Sequence, residues 1–234
     1  PALSLNLPTL EVKVETINGQ TPSTTGSVVL KGGSVVTVKG YIAKNGSKQG
    51  DFKGLLTATV RDTKELITCK KQEDTSASAF QYYDRQKVLY NGTDSIKNGE
   101  FTFTFAVPRD INYAAGTGLM NLSAINDNHT LMAQGHEDGF TIDGSEIVYN
   151  DSIGPSIYAY LNSPSFVNGG EVNSTPYFFA QITDKDGINA SGNGIGHDMQ
   201  LTIDGKLTQT YILNDNFRYD FGSYTSGTTG FSLP

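Results

Sequence analysis

The chain has 234 residues, enough for two domains of ordinary size. It contains 26 Gly, 12 Tyr and 12 Phe, and only 18% of its residues are charged, which favours short strands and tight turns over long helices. The formal net charge of -7 argues against a nucleic-acid groove, which needs clustered Lys and Arg to neutralise phosphates. A single cysteine, Cys69, excludes an intrachain disulfide and a zinc site built on cysteines. The sequence has no apolar run near the ~20 residues that cross a bilayer.

Short runs of alternating apolar and polar residues fill the first 143 positions, as in strands with one buried face. The clearest run places Phe101, Phe103 and Phe105 on one side of a strand. The other predicted strands lie at residues 10–15, 36–42, 56–60 and 120–124. Asn-Gly and Gly-Gly pairs between the runs predict tight turns, because Asn and Gly tolerate positive φ angles. The predicted turns are Asn18-Gly19, Gly32-Gly33, Asn45-Gly46, Asn91-Gly92 and Asn98-Gly99.

The alternation pauses at residues 144–154 and then resumes. The predicted strands of the second half lie at residues 158–160, 178–182, 201–203, 211–213 and 217–221. The sequence therefore predicts an all-β chain of two tandem immunoglobulin-like β-sandwich modules, at residues 9–143 and 155–234. Residues 144–154 are the expected linker, with some hinge freedom around residues 150–154. The second module is expected to be incomplete, because its about 78 residues fall short of the ~100 of a typical sandwich.

Catalytic residues are not predicted anywhere in the chain. Cys69 follows Leu66-Ile67-Thr68, and no His lies near it in sequence, so we expect a packed, slowly reacting thiol at a strand end. His129, His136 and His197 lack the His-x-x-x-His spacing of a zinc site and are expected in exposed loops. We therefore predict that the chain is not itself an enzyme and binds no cofactor.

The acidic stretch at residues 184–187, Asp-Lys-Asp-Gly, supports two interpretations. As part of a calcium site it would contribute Asp184 and Asp186, with Asp198 and Asp215 as further candidate ligands. It lacks the Gly at position six and the Glu at position twelve of an EF-hand loop. As a turn that ends a strand, Asp-x-Asp-Gly needs no metal. We favour the turn and predict no metal site.

Several stretches resemble the region that follows the catalytic domain in gingipain-family cysteine peptidases. The first is Leu89-Tyr90-Asn91-Gly92, the next is Val107-Pro108-Arg109-Asp110-Ile111, and the most specific is Gly192-Asn193-Gly194-Ile195-Gly196-His197-Asp198. Pro1-Ala2-Leu3 resembles the end of that catalytic domain, so residues 1–8 are expected to be its tail. Within the family, the resemblance is closest to the sortase of the type IX secretion system of Bacteroidetes.

This resemblance implies a parent protein that is a caspase-like cysteine peptidase processing type IX secretion cargo. The chain would be its non-catalytic C-terminal region, with a scaffolding or docking role, since the family's His–Cys pair lies upstream and nothing here matches its motif. The expected partners are the upstream peptidase domain, secretion cargo and outer-membrane secretion components, with no nucleic acid and no transmembrane segment. The expected location is extracytoplasmic, at the cell surface or the outer membrane.

A surface adhesin or carbohydrate-binding module is the alternative function. Such a module would present a cluster of exposed aromatic side chains, for which Tyr82-Tyr83, Tyr158 and Tyr160 are the candidates. The spacing of Tyr158 and Tyr160 also fits one face of a strand. Trp, the usual sugar-stacking residue, is absent from the chain. The composition therefore favours the peptidase-associated role.

Overall fold

The computed structural model describes residues 8–23, 28–70, 78–109, 111, 116–146, 153–192 and 198–234. These residues form β-strands and two short 3-10 helices, so the predicted all-β class is confirmed. Within these ranges no helix has the length and apolar character needed to cross a membrane. Residues 1–7, predicted as the tail of an upstream domain, lie outside the described residues, as does His197.

Strands in the first half of the chain are mostly short and separated by tight turns. They are β1 (Leu10–Ile17), β2 (Val29–Gly32), β3 (Val35–Lys44), β4 (Ser47–Lys48), β5 (Gly54–Arg61), β6 (Glu65–Thr68), β7 (Gln81–Asp84), β8 (Val88–Lys97), β9 (Glu100–Ala106), β10 (Gly116–Thr117), β11 (Leu119–Asn126), β12 (Met132–Glu137) and β13 (Thr141–Ser145). The second half contains β14 (Ser156–Leu161), β15 (Tyr177–Thr183), β16 (Gln200–Thr202), η1 (Leu207–Gln209), β17 (Thr210–Ile212), η2 (Asn214–Asn216), β18 (Arg218–Tyr219) and β19 (Ser226–Ser232).

Within the described residues, seven strands of the first half close into one barrel-like sheet in the order β1-β12-β11-β5-β8-β9-β3. β1 closes the ring because it pairs on both sides: Leu10 and Glu11 run parallel to β12, and residues 11–17 run antiparallel to β3, with a bulge between Val14 and Thr16. The β1–β12 and β8–β9 pairings are short, with two residue pairs each. This closed sheet differs from the two separate sheets that we predicted, because alternation indicates which face is buried but not which strands pair.

The core of the first half lies inside this closed sheet. Phe101, Phe103 and Phe105 are all buried, with successive ring centroids 6.3 and 6.1 Å apart, as their alternation predicted. The predicted inward residues of the other strands are also buried: Val36, Val38, Ile42, Leu56, Ala58, Val60, Met120, Leu122 and Ala124. A small sheet in the order β10-β13-β2 adds Leu30 and Ile142 to the same core.

The predicted turns are confirmed at three Asn-Gly pairs. Both residues have positive φ angles at Asn18-Gly19, Asn45-Gly46 and Asn98-Gly99, as type I′ hairpin turns require. Gly33, with φ of 84°, turns the chain between β2 and β3. The turn predicted at Asn91-Gly92 is wrong, because both residues lie inside β8.

Gly92 has a packing role in β8. The ring of Tyr90 lies over its backbone, so that a Cβ atom at this position would overlap the Tyr90 hydroxyl and Cζ atoms. Close approach of a side chain to the main chain is one of the few reasons for a glycine inside a strand.

The second half forms a four-stranded sheet in the order β14-β15-β19-β18, with β16 and β17 paired beside it. These four are the first, second, sixth and fifth strands described in this half. Phe178, Ala180 and Ile182 alternate along β15 and share one face, as predicted. The run predicted at residues 217–221 forms only the two-residue strand β18, and Phe221 beyond it is exposed.

Tyr219 connects the cores of the two halves. Its ring centroid lies 5.1 Å from that of Tyr90 in β8, and its hydroxyl donates a hydrogen bond to the Ile188 carbonyl at 2.6 Å. The Gly222 N–H donates to the Thr93 carbonyl at 2.8 Å, which ties the same surfaces together. Apolar packing of this kind opposes independent motion of two domains.

The predicted linker at residues 144–154 lies mostly outside the described residues, which end at 146 and resume at 153. Its first two positions belong to β13, which extends to Ser145 and pairs there with Gly32. Most of the residues at which we expected a hinge, 150–154, lie outside the described residues, so hinge freedom there stays a prediction.

Candidate functional site: a groove between the two halves

One face of the second-half sheet is only partly covered. This face carries Phe178, Ala180 and Ile182 from β15, with Ile157 opposite Ile182 and Thr229 opposite Ala180. An apolar sheet face usually packs against another layer ~10 Å away. Ile188 and Phe217 cover the end of the face at Ile182, whereas Ile157 is 62% exposed.

A cavity of about 1190 Å³ lies between this face and the first half of the chain. We call this cavity the groove. One wall is the partly covered sheet face, and the other consists of the adjoining ends of β3 and β9, with Val35, Val107 and Arg109. Pockets for small molecules are typically about 300–1,000 Å³. The groove is therefore large enough for a segment of polypeptide.

The turn at residues 184–187 forms one end of the groove. The Asp186 N–H donates to Asp184 Oδ1 at 2.9 Å, and the Gly187 N–H donates to the Asp184 carbonyl at 3.2 Å. Gly187 has a φ of 105°, and a Cβ atom there would lie 2.8 Å from the Cβ of Ala106. The turn therefore packs directly against β9 and helps to fix the width of the groove.

Three of the four calcium candidates of the sequence, Asp184, Asp186 and Asp198, line the groove. Asp186 is paired with Lys185, whose Nζ lies 2.7 Å from Asp186 Oδ2. Asp215 lies in η2. Among the described residues, no group of three or more His, Cys, Asp or Glu side chains could hold a metal ion. The observed hydrogen bonds of Asp184 are those of a turn stabilised by an aspartate side chain.

The prediction that Cys69 is packed is wrong, because its side chain is exposed. It follows β6 in the β6–β7 hairpin, and its N–H donates to the Phe80 carbonyl at 2.9 Å. Leu66 and Tyr83, which pair across this hairpin, are exposed as well. The hairpin is a separate two-stranded sheet, so its alternating apolar residues do not face the core.

The described histidines lie on the surface. His129 is exposed in the turn after β11, with a φ of 55°, as the predicted loop position implies. His136 is also exposed, but it lies in β12 opposite Asn121, so the prediction of a loop is wrong there. The polar sequence around His136 belongs to a strand whose outer face meets solvent.

The buried Tyr90 and the partly buried Tyr219 form the contact between the two halves. Burial raises the pKa of Tyr90 to about 12, and the nearby Asp94 carboxylate adds to this rise. Burial also raises the pKa of Tyr219, with a smaller contribution from Tyr90. Sequence patterns did not identify this contact, because Tyr90 and Tyr219 are inward residues of two strands that are distant in the chain.

The opposite face of the second-half sheet carries the aromatic candidates of the sequence. Tyr158 is 55% exposed, and its ring centroid lies 5.7 Å from that of Tyr160. Tyr160 stacks in turn on Phe179, at 4.9 Å. The other candidates, Tyr82 and Tyr83, lie on β7 of the exposed hairpin. The structure therefore brings Tyr158 and Tyr160 together and leaves Tyr82 and Tyr83 on a separate surface.

No protein-family model matches the chain, and no curated protein matches it. Its structure is similar to a crystal structure of dimeric latent PorU from Porphyromonas gingivalis, with a TM-score of 0.63 and 33% sequence identity. This similarity covers 99% of the chain and 22% of the PorU chain. Spo0M, a sporulation control protein from Bacillus subtilis, gives a TM-score of only 0.33 at 13% identity, over 74% of this chain and 67% of Spo0M. The chain is therefore similar, along nearly its whole length, to one segment of PorU.

Proposed function

We propose that the chain is the non-catalytic C-terminal β region of a PorU-like cysteine peptidase of the gingipain family, which processes type IX secretion cargo at the cell surface. The similarity to a PorU segment, at 33% identity over 99% of the chain, carries this proposal. The sequence resemblance to the region after the catalytic domain of gingipain-family peptidases is consistent with it. Because the matched segment is 22% of PorU, the peptidase activity would belong to the remainder of the longer protein.

The genomic sequence upstream of Pro1 provides the first test. The proposal requires a cysteine-peptidase domain there, with its own His–Cys pair. An open reading frame that encodes no such domain contradicts the proposal. In addition, the isolated chain should hydrolyse neither fluorogenic peptides nor type IX cargo, and activity that disappears on Cys69→Ala would overturn its non-catalytic role.

The order of the second-half sheet supports an immunoglobulin-like fold for this half. In a constant-type immunoglobulin domain the first, second, fifth and fourth strands form one sheet, and the third, sixth and seventh strands form the sheet that covers it. The order β14-β15-β19-β18 corresponds to that first sheet, with β16 in the place of the third strand. The groove then occupies the position of the two remaining strands.

The groove is therefore the proposed docking site for β-strands supplied by the rest of the longer protein. Its wall is apolar at Phe178, Ala180 and Ile182, which suits the alternating apolar side chains of a buried strand. Its charged residues, including Arg109 and Asp186, would lie beside the polar ends of such a strand. A scaffolding role follows, because completing the second half would fix it to the remainder of the protein.

Co-expression tests this docking role. The chain and the remaining parts of the full-length protein are produced as separate polypeptides, and the tagged chain is purified. We expect the other polypeptide to co-purify with the unmodified chain. Ile157→Lys places a charge at the groove and should lower the recovery of that polypeptide about fivefold or more. Gln181→Lys is the matched control, since Gln181 is exposed on the opposite face of the same sheet. Equal recovery with both variants contradicts docking in the groove.

A carbohydrate-binding module is the second candidate function, and the aromatic row Tyr158-Tyr160-Phe179, in which Tyr158 is exposed and the other two are partly exposed, favours it. Aromatic faces that meet solvent in a row offer a stacking surface for sugar rings. Titration with surface oligosaccharides, followed by tyrosine fluorescence, would detect such binding. Loss of the signal in Tyr158→Ala would support this function, and the absence of any signal would exclude it for the oligosaccharides used.

A further inference from the structure

β14 is the edge strand of the second-half sheet, and no strand within the described part of the chain pairs with its outer side. Its pairing with β15 runs without a register shift, and the Asn162 N–H donates to the Tyr177 carbonyl at 2.8 Å. In an antiparallel ladder, every second residue turns its backbone groups to the same neighbour. The residues that turn their N–H and C=O groups to the open side are therefore Ile157, Ala159 and Leu161.

The open edge of β14 lacks the usual protection against strand pairing. Protected edges carry charges, bulges or covering segments. Residues 153–170 contain no charged side chain, although the whole chain has a net charge of -7, and the first four residues of β14 are exposed. A regular, uncharged and exposed edge favours an extended peptide segment that is itself uncharged.

The side chains on the groove face of β14 are aliphatic. Ile157, Ala159 and Leu161 alternate there, with Ile157 opposite Ile182 and Ala159 opposite Ala180 of β15. A strand added to β14 would form its backbone hydrogen bonds opposite these three residues of β14, and directly opposite residues share a face. Its hydrogen-bonded residues would therefore extend the apolar wall of the groove, which favours aliphatic side chains at those positions.

The side chains on the other face of β14 include two tyrosines. Tyr158 and Tyr160 would lie opposite the intervening residues of an added strand, in non-hydrogen-bonded pairs with Cα atoms about 4.5 Å apart. The Tyr158 hydroxyl donates to the Pro164 carbonyl at 3.0 Å, and the Tyr160 ring stacks on Phe179 at 4.9 Å, so both rings are held in place before a partner binds. Aromatic side chains pair favourably across strands with β-branched or aromatic residues. The edge therefore favours a segment in which aliphatic residues alternate with β-branched or aromatic ones.

Filling the groove would leave this edge open. In a constant-type immunoglobulin domain the first strand lies at the edge of its sheet, and the third, sixth and seventh strands form the covering sheet. Strands that fill the groove would therefore stack on the face of β14 and leave its outward N–H and C=O groups without partners. The occupant of the edge is accordingly a separate polypeptide.

We propose that β14 binds an extended, uncharged segment of a separate protein, which joins the second-half sheet as a fifth strand antiparallel to β14. Main-chain hydrogen bonds supply affinity in this mode of recognition, and the alternating side chains supply specificity. The partner is secreted cargo. This identification rests on the proposed function, since cargo is the separate protein that such a peptidase must hold.

Fluorescence anisotropy with a labelled synthetic peptide tests the edge. The probe is Thr-Val-Thr-Val-Thr-Val-Thr with capped ends, in which the valines suit the groove face and the threonines suit the tyrosine face. We expect N-methylation of two valines to weaken binding at least about tenfold, because it removes N–H groups that bond to β14. N-methylation of two inner threonines is the matched control and should weaken binding less than about threefold, because those N–H groups face away from β14.

Variants of Ala159 test the protein side of the same contact. Ala159→Pro removes the central outward N–H and places a ring against the added strand, so it should weaken peptide binding at least about tenfold. Ala159→Ser is the matched control, because it keeps the N–H, and should bind within about twofold of the unmodified chain. Proline is tolerated in an edge strand where the N–H faces outward, and thermal unfolding verifies that the variant stays folded. A probe that does not bind, equal losses from both methylation patterns, or full binding by folded Ala159→Pro would overturn the proposal.

Competition identifies the partner. A purified type IX cargo protein should displace the labelled peptide, and unchanged anisotropy would overturn cargo as the occupant. Anisotropy that falls as the chain concentration rises would assign the edge to a second copy and would also contradict the proposal. Because the peptide measurements use the chain alone, they decide the edge site separately from the upstream peptidase domain that the proposed function requires.

Discussion

Replacing Gly92 with Ala should weaken the contact between the two halves of the chain. A Cβ atom at position 92 would overlap the hydroxyl and Cζ atoms of Tyr90 and would lie 2.9 Å from its Cε1. The Tyr90 ring is 2% exposed and lies 5.4 Å from the ring of Phe105 and 5.1 Å from that of Tyr219, so its displacement would disturb both contacts. Overpacking of a well-packed core costs about 1–3 kcal/mol of unfolding free energy. For a chain of this size, each kcal/mol lowers the melting temperature by about 2–4 °C.

Urea unfolding, followed by circular dichroism and tyrosine fluorescence, measures this loss. Gly50→Ala is the matched control, because no described atom lies within 4 Å of a Cβ built at Gly50. We expect Gly50→Ala to change the unfolding free energy by less than about 0.5 kcal/mol. In a Tyr90→Leu background, the effect of Gly92→Ala should shrink, since the overlapping ring is gone. If Gly92→Ala and Gly50→Ala have equal effects, the Tyr90 ring does not constrain position 92 and the argument fails.

Three further predictions concern exposed and buried groups. Cys69 should react rapidly and completely with a thiol reagent in the native state, since it is exposed, and slow labelling would contradict this. The contribution of Tyr90 to the unfolding free energy should be constant below about pH 10 and be lost as pH rises to about 12, because the pKa of Tyr90 is raised to about 12 in the folded state. Urea unfolding at several pH values should show that the unfolding free energy falls less between about pH 10 and 12 in Tyr90→Phe than in the unmodified chain. An equal fall in both would refute the attribution of this pH dependence to Tyr90. Tyr219→Ala should lower the unfolding free energy by about 3 kcal/mol, because it removes the ring shared by both cores and the hydrogen bond to Ile188. A loss below about 1 kcal/mol would show that the contact between the two halves contributes little to stability.

The sequence predicted local structure in the first half well, because strands and tight turns depend on neighbouring residues. Phe101, Phe103 and Phe105 alternate with polar or small residues, and this period alone indicates a strand with one buried face. The turn at Asn98-Gly99 was predictable for the same reason, since the positive φ angles are a property of those two residues. Asn91-Gly92 failed because the ring of Tyr90, rather than a turn, requires the glycine.

The pairing of strands and the position of the groove could not be predicted in this way. Closure of the first sheet depends on β1 contacting both β3 and β12, which lie far apart in the chain. The run Leu66-Ile67-Thr68 before Cys69 predicts a packed thiol at a strand end, but it does not reveal that the β6–β7 hairpin stands apart from the main sheet. The groove depends on the distance between β9 and the turn at Gly187, which is set by tertiary packing.

The pairing of β1 with both β12 and β3 decides the order in which the first half can fold. Leu10 pairs with Ala133, and Val29 of β2 pairs with Thr141, so the first strands of the chain form ladders with the last strands of this half. A chain emerging from its amino end can form the β8–β9 hairpin early, because that pairing is local. The closed sheet must wait for β12, since contacts over long sequence separations require the whole intervening loop to be ordered first. The edges of β1 and β11 that face β12 therefore remain available to other strands until about residue 137 has emerged, and β12 is the strand that removes them.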